Sequence, residues 1–313
     1  MPDFTLTVAI CTHNRPEDLA ECLDALYAQD LSGIQLIVVD SASRKDAQQA
    51  IVRATAGRAN LQLIRLESPG LSAARNAAVE ASVAPWLAFL DDDAIAAPDW
   101  VMQAKRLTAL ASPVCAVIGG RVDPLYSSGA VPEIGRRWSQ LLSLIQDEGE
   151  DESNSGRKAV CGANVIFRRS PVKRIGSFPG ELGRIGNVLL SGEEKLVIER
   201  LCEAGCQILY SDLLCVRHKI PKERLKREWA ARRAYWDGVT DQKIRRLMRR
   251  PVSILTVAKI VAAIPLLGVL APSRSPAHEF FIRFWYNVGC IRELLFPVRL
   301  HSSLLASNAP KPI

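Results

Sequence analysis

The sequence lacks the patterns that announce several protein classes. It has no CxxC pair and no zinc-like grouping: Cys11, Cys22, Cys115, Cys161, Cys202, Cys206, Cys215 and Cys290 are scattered. That spacing argues against a zinc ribbon or a dithiol redox centre. Cys202 and Cys206, four apart on an expected helix, read as two small apolar neighbours. No charged n-region or cleavage site accompanies the first strand-like run, Phe4 to Ile10. The expected setting is therefore the cytoplasm, with reduced thiols. Internal repeats and long low-complexity tracts are missing as well.

Apolar residues make up 48% of the 313, enough to bury one large α/β domain and a smaller appendage. The formal charge of +7 is concentrated. Between Lys219 and Arg250 twelve Lys/Arg face four Asp/Glu, a local +8. Such a block suits phosphate, nucleic acid or an anionic membrane, and its plain alternative is a solvated helix face.

The first two-thirds alternate short apolar runs with helical patterns, as in a mostly parallel sheet wound with helices. Expected strands are Thr5–Cys11, Ile34–Val39, Leu61–Leu66, Trp86–Leu90, Val114–Gly119 and Gln207–Val216. Helices follow Pro16, cover 46–56, begin near Pro98 and Asp99, and run from Ser191 to Gly205. Residues 129–154 are less regular, and their acidic cluster Asp147, Glu148, Glu150, Asp151 and Glu152 reads as a surface loop. The chain therefore divides into an α/β domain, 1–218, and a basic and apolar helical extension, 219–313.

Asp91-Asp92-Asp93 directly follows a buried strand. Adjacent carboxylates repel one another unless a cation or water neutralises them, and a divalent metal that clamps a pyrophosphate does both. Ligands of open α/β sheets bind beyond the carboxyl ends of the strands. Asp40 ends the second strand and Thr12, Asn14 and Arg15 follow the first, so all belong to that edge. Asp40 suits a base or ribose, or else only caps its turn. Arg75 and Asn76, near the start of a helix, suit a phosphate; Arg75 pairing with a carboxylate is the alternative. Ser191-Gly192-Glu193-Glu194 reads either as a capping box or as the site of a general base. His218, at a strand end, is a candidate metal ligand or a structural histidine.

Taken in order, Val8–Arg15, Val38–Asp40, Gly70–Asn76, Leu87–Asp93, Cys161–Asn164 and Gly192–Glu194 resemble glycosyltransferase family 2, over about residues 4–218. The resemblance implies a GT-A fold with a Rossmann-like nucleotide-binding half and an inverting transfer from a nucleotide-diphosphate sugar, a UDP-sugar first among them. It implies that Asp40, Thr12, Asn14, Arg15, Arg75, Asn76, Asp91 and Asp92 line the donor site, and that Asp93 and His218 hold Mg2+ or Mn2+. Gly162, Ala163 and Asn164 then flank the donor sugar and acceptor. Glu194 stands where the family places its catalytic base, with Glu193 beside it. Two departures from the family pattern are Ser41-Ala42-Ser43-Arg44 after Asp40 and a glutamate rather than an aspartate at 194.

The expected acceptor is a saccharide or a lipid-linked sugar, in the biosynthesis of a cell-surface glycan or polysaccharide. Val252–Ala271 is long enough to cross a bilayer, but Lys259 near its middle costs about 2.5–3.5 kcal/mol there and Pro265 kinks it. A helix lying in the interface, on the inner face of the cell membrane, fits better, flanked by the basic block and Phe280, Phe281, Phe284, Trp285 and Tyr286. The same run otherwise serves as a packing helix or a homodimer contact. A processive synthase is disfavoured because several apolar spans and a Gln-x-x-Arg-Trp motif are missing. A sugar-phosphate nucleotidyltransferase lacks its Gly-rich N-terminal loop here, and a non-catalytic nucleic-acid binder is the remaining rival; no nucleic acid is expected as partner.

Overall fold

The computed structural model describes residues 3–127, 134–145, 160–184, 188–270, 279–297 and 311–312. The acidic cluster at 147–152 lies outside them.

Strands β1 (Leu6–Thr12), β2 (Ile34–Asp40), β3 (Leu61–Arg65) and β4 (Trp86–Asp91) alternate with helices α1 (Pro16–Tyr27), α2 (Lys45–Thr55) and α3 (Leu71–Ala81). There follow β5 (Ala94–Ala96), α4 (Trp100–Leu110), β6 (Cys115–Tyr126), α5 (Arg136–Leu141), β7 (Asn164–Arg168), α6 (Arg169–Arg174), α7 (Glu193–Glu203) and β8 (Gln207–Ile220). A 3-10 turn (Lys222–Leu225), α8 (Arg227–Leu247), α9 (Ile254–Leu270), α10 (Glu279–Leu295) and a two-residue β9 (Lys311–Pro312) complete the order. The strands form one sheet, β5-β8-β6-β7-β4-β1-β2-β3-β9. Pairs β1–β2, β1–β4, β2–β3 and β6–β8 are parallel, whereas β7 runs antiparallel between β4 and β6.

Both faces of the central strands are covered, as their nearly unbroken apolar runs require. Leu6, Val8 and Ile10 face a core closed by α1 and α4; Ala9 faces a second core with α3, α7 and the Phe89, Phe167 and Phe178 rings. Those three rings meet edge-on at 5.4–6.2 Å, a geometry that suits the aromatic quadrupole. The period of two along β1 thus decides which helix layer each side chain meets.

Two local expectations need correction. α7 begins at Glu193, its N-cap is Gly192 in the left-handed region (φ 84°), and no side chain caps it. The Ser191 capping box therefore does not form, because the chain turns at 192 rather than entering the helix at 191. β8 runs two residues past His218 and pairs with β5 there, so His218 lies within a strand. Cys161–Asn164 leads into β7, a strand that the sequence does not announce, since five residues carry too little periodicity to read.

The C-terminal helices share the sheet's core. Ala230, Ala234 and Ile282 pack into the same cluster as β1 and α4, and Arg137 pairs with Glu279 at 2.8 Å. Helix α9 is different: Leu255 and Val261 are 65% and 51% exposed. Among the described residues no helix is long and apolar enough to cross a membrane. Nor is the basic block one solvated face, since Arg224, Arg233 and Lys243 are buried.

Candidate active site

Strand register assembles the site. Thr12 sits opposite Asp40 across β1–β2, and Cys11 opposite Asp91 across β1–β4. Three strands therefore deliver their last residues to one edge, where side chains leave the sheet beyond its carboxyl ends.

At the centre, Thr12 Oγ1 donates to Asp92 Oδ2 at 2.8 Å, and Arg15 Nη1 donates to Asp92 Oδ1 (3.1 Å) and Asp93 Oδ2 (2.9 Å). His218 Nδ1 donates to the Leu142 carbonyl oxygen at 3.1 Å, which turns Nε2 toward Asp93 Oδ1, 3.1 Å away. Arg224 Nη2 lies 3.4 Å from Asp93 Oδ2. Asp92 and Asp93 are 5% exposed, and Asp91 stands at the rim with 37% of its side chain accessible.

Burial raises both inner carboxyls, and what surrounds each separates them. Asp92 stays raised because burial and the neighbouring carboxylates outweigh Arg15 and Thr12. For Asp93 the opposing hydrogen bond and charge of His218, with Arg15 and Arg224, prevail and hold it below the usual carboxylate range.

Asp91, Asp93 and His218 each offer one ligand atom within 4.8 Å of the others. The donor set, two carboxylates and an imidazole, fits Mg2+ or Mn2+. The ring orientation supports the fit: with Nδ1 spent on a backbone carbonyl, Nε2 is the ring nitrogen that faces Asp93 and would ligate a cation there.

A second acidic group faces this one across Arg75. Arg75 is 3% exposed in its side chain; Nη1 donates to Glu193 Oε1 at 2.7 Å and lies 3.4 Å from Glu194 Oε2, while Nη2 is 3.9 Å from Asp91 Oδ1. Phe89 and Phe178 hold its guanidinium at 5.5 and 5.6 Å from their centroids. Gly162 is required by this packing, because a Cβ there would overlap Arg75 Nη2. Glu193 is buried, and its Oε2 has no hydrogen-bond partner among the described residues. Burial and the adjacent Glu194 push its carboxyl up to about 7 against the pull of Arg75. Glu194 is partly open, with 18% of its side chain accessible.

The other sequence candidates are spread around this pair of clusters. Asp40 is buried; Oδ1 accepts from Ser43 N and Oδ2 from Arg65 Nη1, both at 2.9 Å. Asn14 has φ 57° and its Oδ1 accepts from Arg44 N at 2.8 Å, bridging the loops after β1 and β2. Asn76 uses both ends of its amide on Phe178, at 2.8 Å each, so it shapes the aromatic clamp rather than opening toward solvent. Asn164 is fully buried, donating to the Arg121 and Leu214 carbonyls and accepting from Trp100 Nε1. Ala163, also buried, begins this tie.

Sequence reasoning missed Arg224 and Arg65. Arg65 was findable, since β2–β3 pairing sets it directly opposite Asp40. Arg224 sits in the basic block, where nothing marks it off from its neighbours.

Comparison with known proteins accords with this geometry. A family model described as Glycosyl transferase family 2 matches residues 7–176. The succinoglycan biosynthesis protein ExoM of Rhizobium meliloti is 27% identical over 310 residues, covering 94% of this chain and 95% of that one. The glucosyl-dolichyl phosphate glucuronosyltransferase of Haloferax volcanii is 25% identical over 238 residues, 74% of this chain and 75% of its own. Among solved structures, the mannosyltransferase PcManGT from Pyrobaculum calidifontis in complex with GDP-Man and Mn2+ superposes with a TM-score of 0.62 at 18% identity, covering 95% of this chain and 89% of that one. At that identity the likeness shows a shared fold.

Proposed function

The chain belongs to glycosyltransferase family 2, whose model covers more than half of it, and from that premise we propose an inverting, metal-assisted transfer of a sugar from a nucleoside-diphosphate donor to a saccharide or lipid-linked acceptor. The observation that carries this reading is the juxtaposition of two acidic groups of opposite character across Arg75. One, Asp91 and Asp93 with His218, offers metal ligands; the other, Glu193 and Glu194, offers a base.

A divalent ion, Mg2+ or Mn2+, held by Asp93 and His218 with Asp91 at the rim, would counter the charge that develops on the departing diphosphate. Asp40, Thr12, Asn14 and Arg15 stand on the donor side, where the nucleoside binds. Glu194 takes the proton of the acceptor hydroxyl as its oxygen attacks the anomeric carbon, in a single displacement with inversion. Its partial exposure suits that role, because a base must reach an incoming substrate. Glu193, buried and raised toward neutrality, keeps a second negative charge away from Glu194 while Arg75 orients both. The relative that acts in succinoglycan biosynthesis and the one named for glucosyl-dolichyl phosphate support an acceptor in cell-surface glycan or polysaccharide assembly. GDP-Man and Mn2+ in the mannosyltransferase support a nucleotide-sugar donor with a metal; a UDP-sugar is the first donor to try.

The exposed apolar surface of α9, with Arg245, Arg246 and Arg249 exposed just before it, supports a further part of the proposal: the enzyme works on the inner face of the cell membrane, held by α9 in the headgroup layer.

The test is a melting and hydrolysis screen of UDP-, GDP-, CDP- and dTDP-sugars with and without Mn2+. One donor should raise the melting temperature only with metal present. Asp93→Asn should abolish that metal dependence. Glu194→Gln should keep donor binding and lose turnover by about 100-fold or more. Full turnover in either variant refutes the mechanism.

A further inference from the structure

Glu194 is held only loosely by its own carboxylate. Among the described residues that carboxylate has one partner, Arg75 Nη1 at 3.4 Å, whereas Glu193 takes the same nitrogen at 2.7 Å. The place from which Glu194 reaches an acceptor is therefore set by the backbone at the start of α7. No side chain caps that helix start, and α8 supplies the contacts that hold it.

Two consecutive residues of α8 meet the chain on either side of Glu193 and Glu194. Thr240, 2% exposed, accepts on Oγ1 from Ser191 N at 3.4 Å. Its methyl closes over Gly192, where a Cβ would come within 2.6 Å of Thr240 Cγ2 and 3.0 Å of Ile244 Cδ1. Asp241 reaches the other side, with Oδ1 2.6 Å from Lys195 Nζ. Leu190 and Leu196, which bracket the same turn, share a buried cluster with Val239 and Ile244. Further along α7, Arg250 pairs with Glu199 and, at 2.7 Å, with Glu203.

Helix α8 is itself pinned by α10. Tyr286 Oη donates to Asp241 Oδ2 at 2.5 Å, so one carboxylate joins α7 to α10. The two backbones touch at glycines: a Cβ on Gly238 would stand 2.1 Å from the Tyr286 carbonyl oxygen, and one on Gly289 1.9 Å from that of Tyr235. Lys195 is half exposed, and such an ion pair contributes little to stability. What it contributes is direction.

Resting on the transferase reading, we infer that Thr240 and Asp241 are positioning residues for the base: they fix the first turn of α7 and so the line along which Glu194 meets the acceptor hydroxyl. They act through Glu194 and not on the donor side, where Thr12, Asp40 and Asp91 end β1, β2 and β4. Proton transfer needs hydrogen-bond reach, and a shift of about 1 Å can cost about 100-fold in rate. Both residues lie beyond residue 176, where the family match ends, so the base takes its support from the C-terminal helices.

The test is hydrolysis of the nucleotide sugar found in the donor screen, by the full-length chain, with water in place of the acceptor. Thr240→Val, which keeps the shape and removes the oxygen, and Asp241→Ala should each lower kcat about tenfold or more, with donor KM and nucleotide affinity within about twofold. Thr240→Ser, which keeps the oxygen and loses the methyl, should fall between. In a Glu194→Gln background both substitutions should change the residual rate less than about twofold, because the group they orient is gone; a merely structural role lowers the rate in either background. Hydrogen exchange reads the same turn without turnover: residues 190–198 should lose protection in both variants while Leu6–Thr12 keeps it. Unchanged kcat in both variants overturns the inference, as does a further loss of about tenfold in Glu194→Gln, or wild-type protection at 190–198. Each of these leaves wild type and Glu194→Gln well separated in rate, so the positioning role falls alone. A protein that binds no nucleotide sugar sinks the transferase reading, and Glu194→Gln with full turnover sinks the base; either takes this inference with it.

Discussion

Replacing Arg75 with methionine removes the cation that joins the two acidic clusters while keeping a side chain long enough to lie between Phe89 and Phe178. Arg75 is buried with Glu193, and breaking such a pair by deleting one member costs about 3–5 kcal/mol, because the survivor keeps its desolvation penalty without its partner. For a chain of this size that is a fall in melting temperature on the order of 10 °C. The cost should depend on pH in a defined direction. Glu193 sits at about 7 in the fold against an ordinary 4.5, raised by burial and Glu194 and lowered by Arg75. A raised carboxyl favours the fold below its unfolded value and loses that contribution as pH rises through its folded one. Without Arg75 the folded value climbs further, so Arg75→Met should cost little at pH 5.5, where Glu193 is protonated, and its full amount at pH 8. Thermal melts at the two pH values measure this directly. Adding Glu193→Gln should then restore much of the loss at pH 8, an interaction of at least about 1 kcal/mol in a double-mutant cycle. Equal penalties at both pH values, together with strictly additive single mutants, would refute the claim that Arg75 compensates a buried carboxylate.

Two further perturbations address the same network from other sides. Glu193→Gln alone should flatten the dependence of stability on pH between about 4.5 and 7, the window in which wild type loses the contribution of its protonated glutamic acid; melts across that range check it. Gly162→Ala should destabilise by about 1–3 kcal/mol, because its Cβ would overlap Arg75 Nη2 and lie 3.0 Å from Cζ while the aromatic rings and Glu193 block retreat. In the Arg75→Met background the same alanine should be nearly neutral, and denaturant titrations of the four proteins decide it.

How far the sequence could be read follows from which signals are local. β1, β2 and β4 were legible because a strand buried on both faces is an unbroken apolar run, and Thr12, Asp40 and Asp91 could be placed at one edge from where those runs stop. The antiparallel β7 was not, since it gains its identity from β4 and β6 on either side rather than from its five residues. The same distinction divides the candidate site. Asp91, Asp92 and Asp93 advertise themselves by repelling one another in consecutive positions. Arg75 stayed open between a phosphate and a carboxylate, because nothing in Leu71–Ala81 reveals a glutamate 118 residues away that pairs with it. Ser191 looked like a cap because Ser-x-x-Glu is a sound local rule, and it lost to a left-handed Gly192 that seats against Thr240 and Ile244 of α8. Both positions fall where elements distant in sequence meet. Arg75 of α3 and Glu193 and Glu194 of α7 meet at that same junction, and it is also where like charges have been left close together. Local rules fail there because long-range electrostatics decide those positions: Glu193 and Glu194, adjacent in sequence, are held together by an arginine from α3.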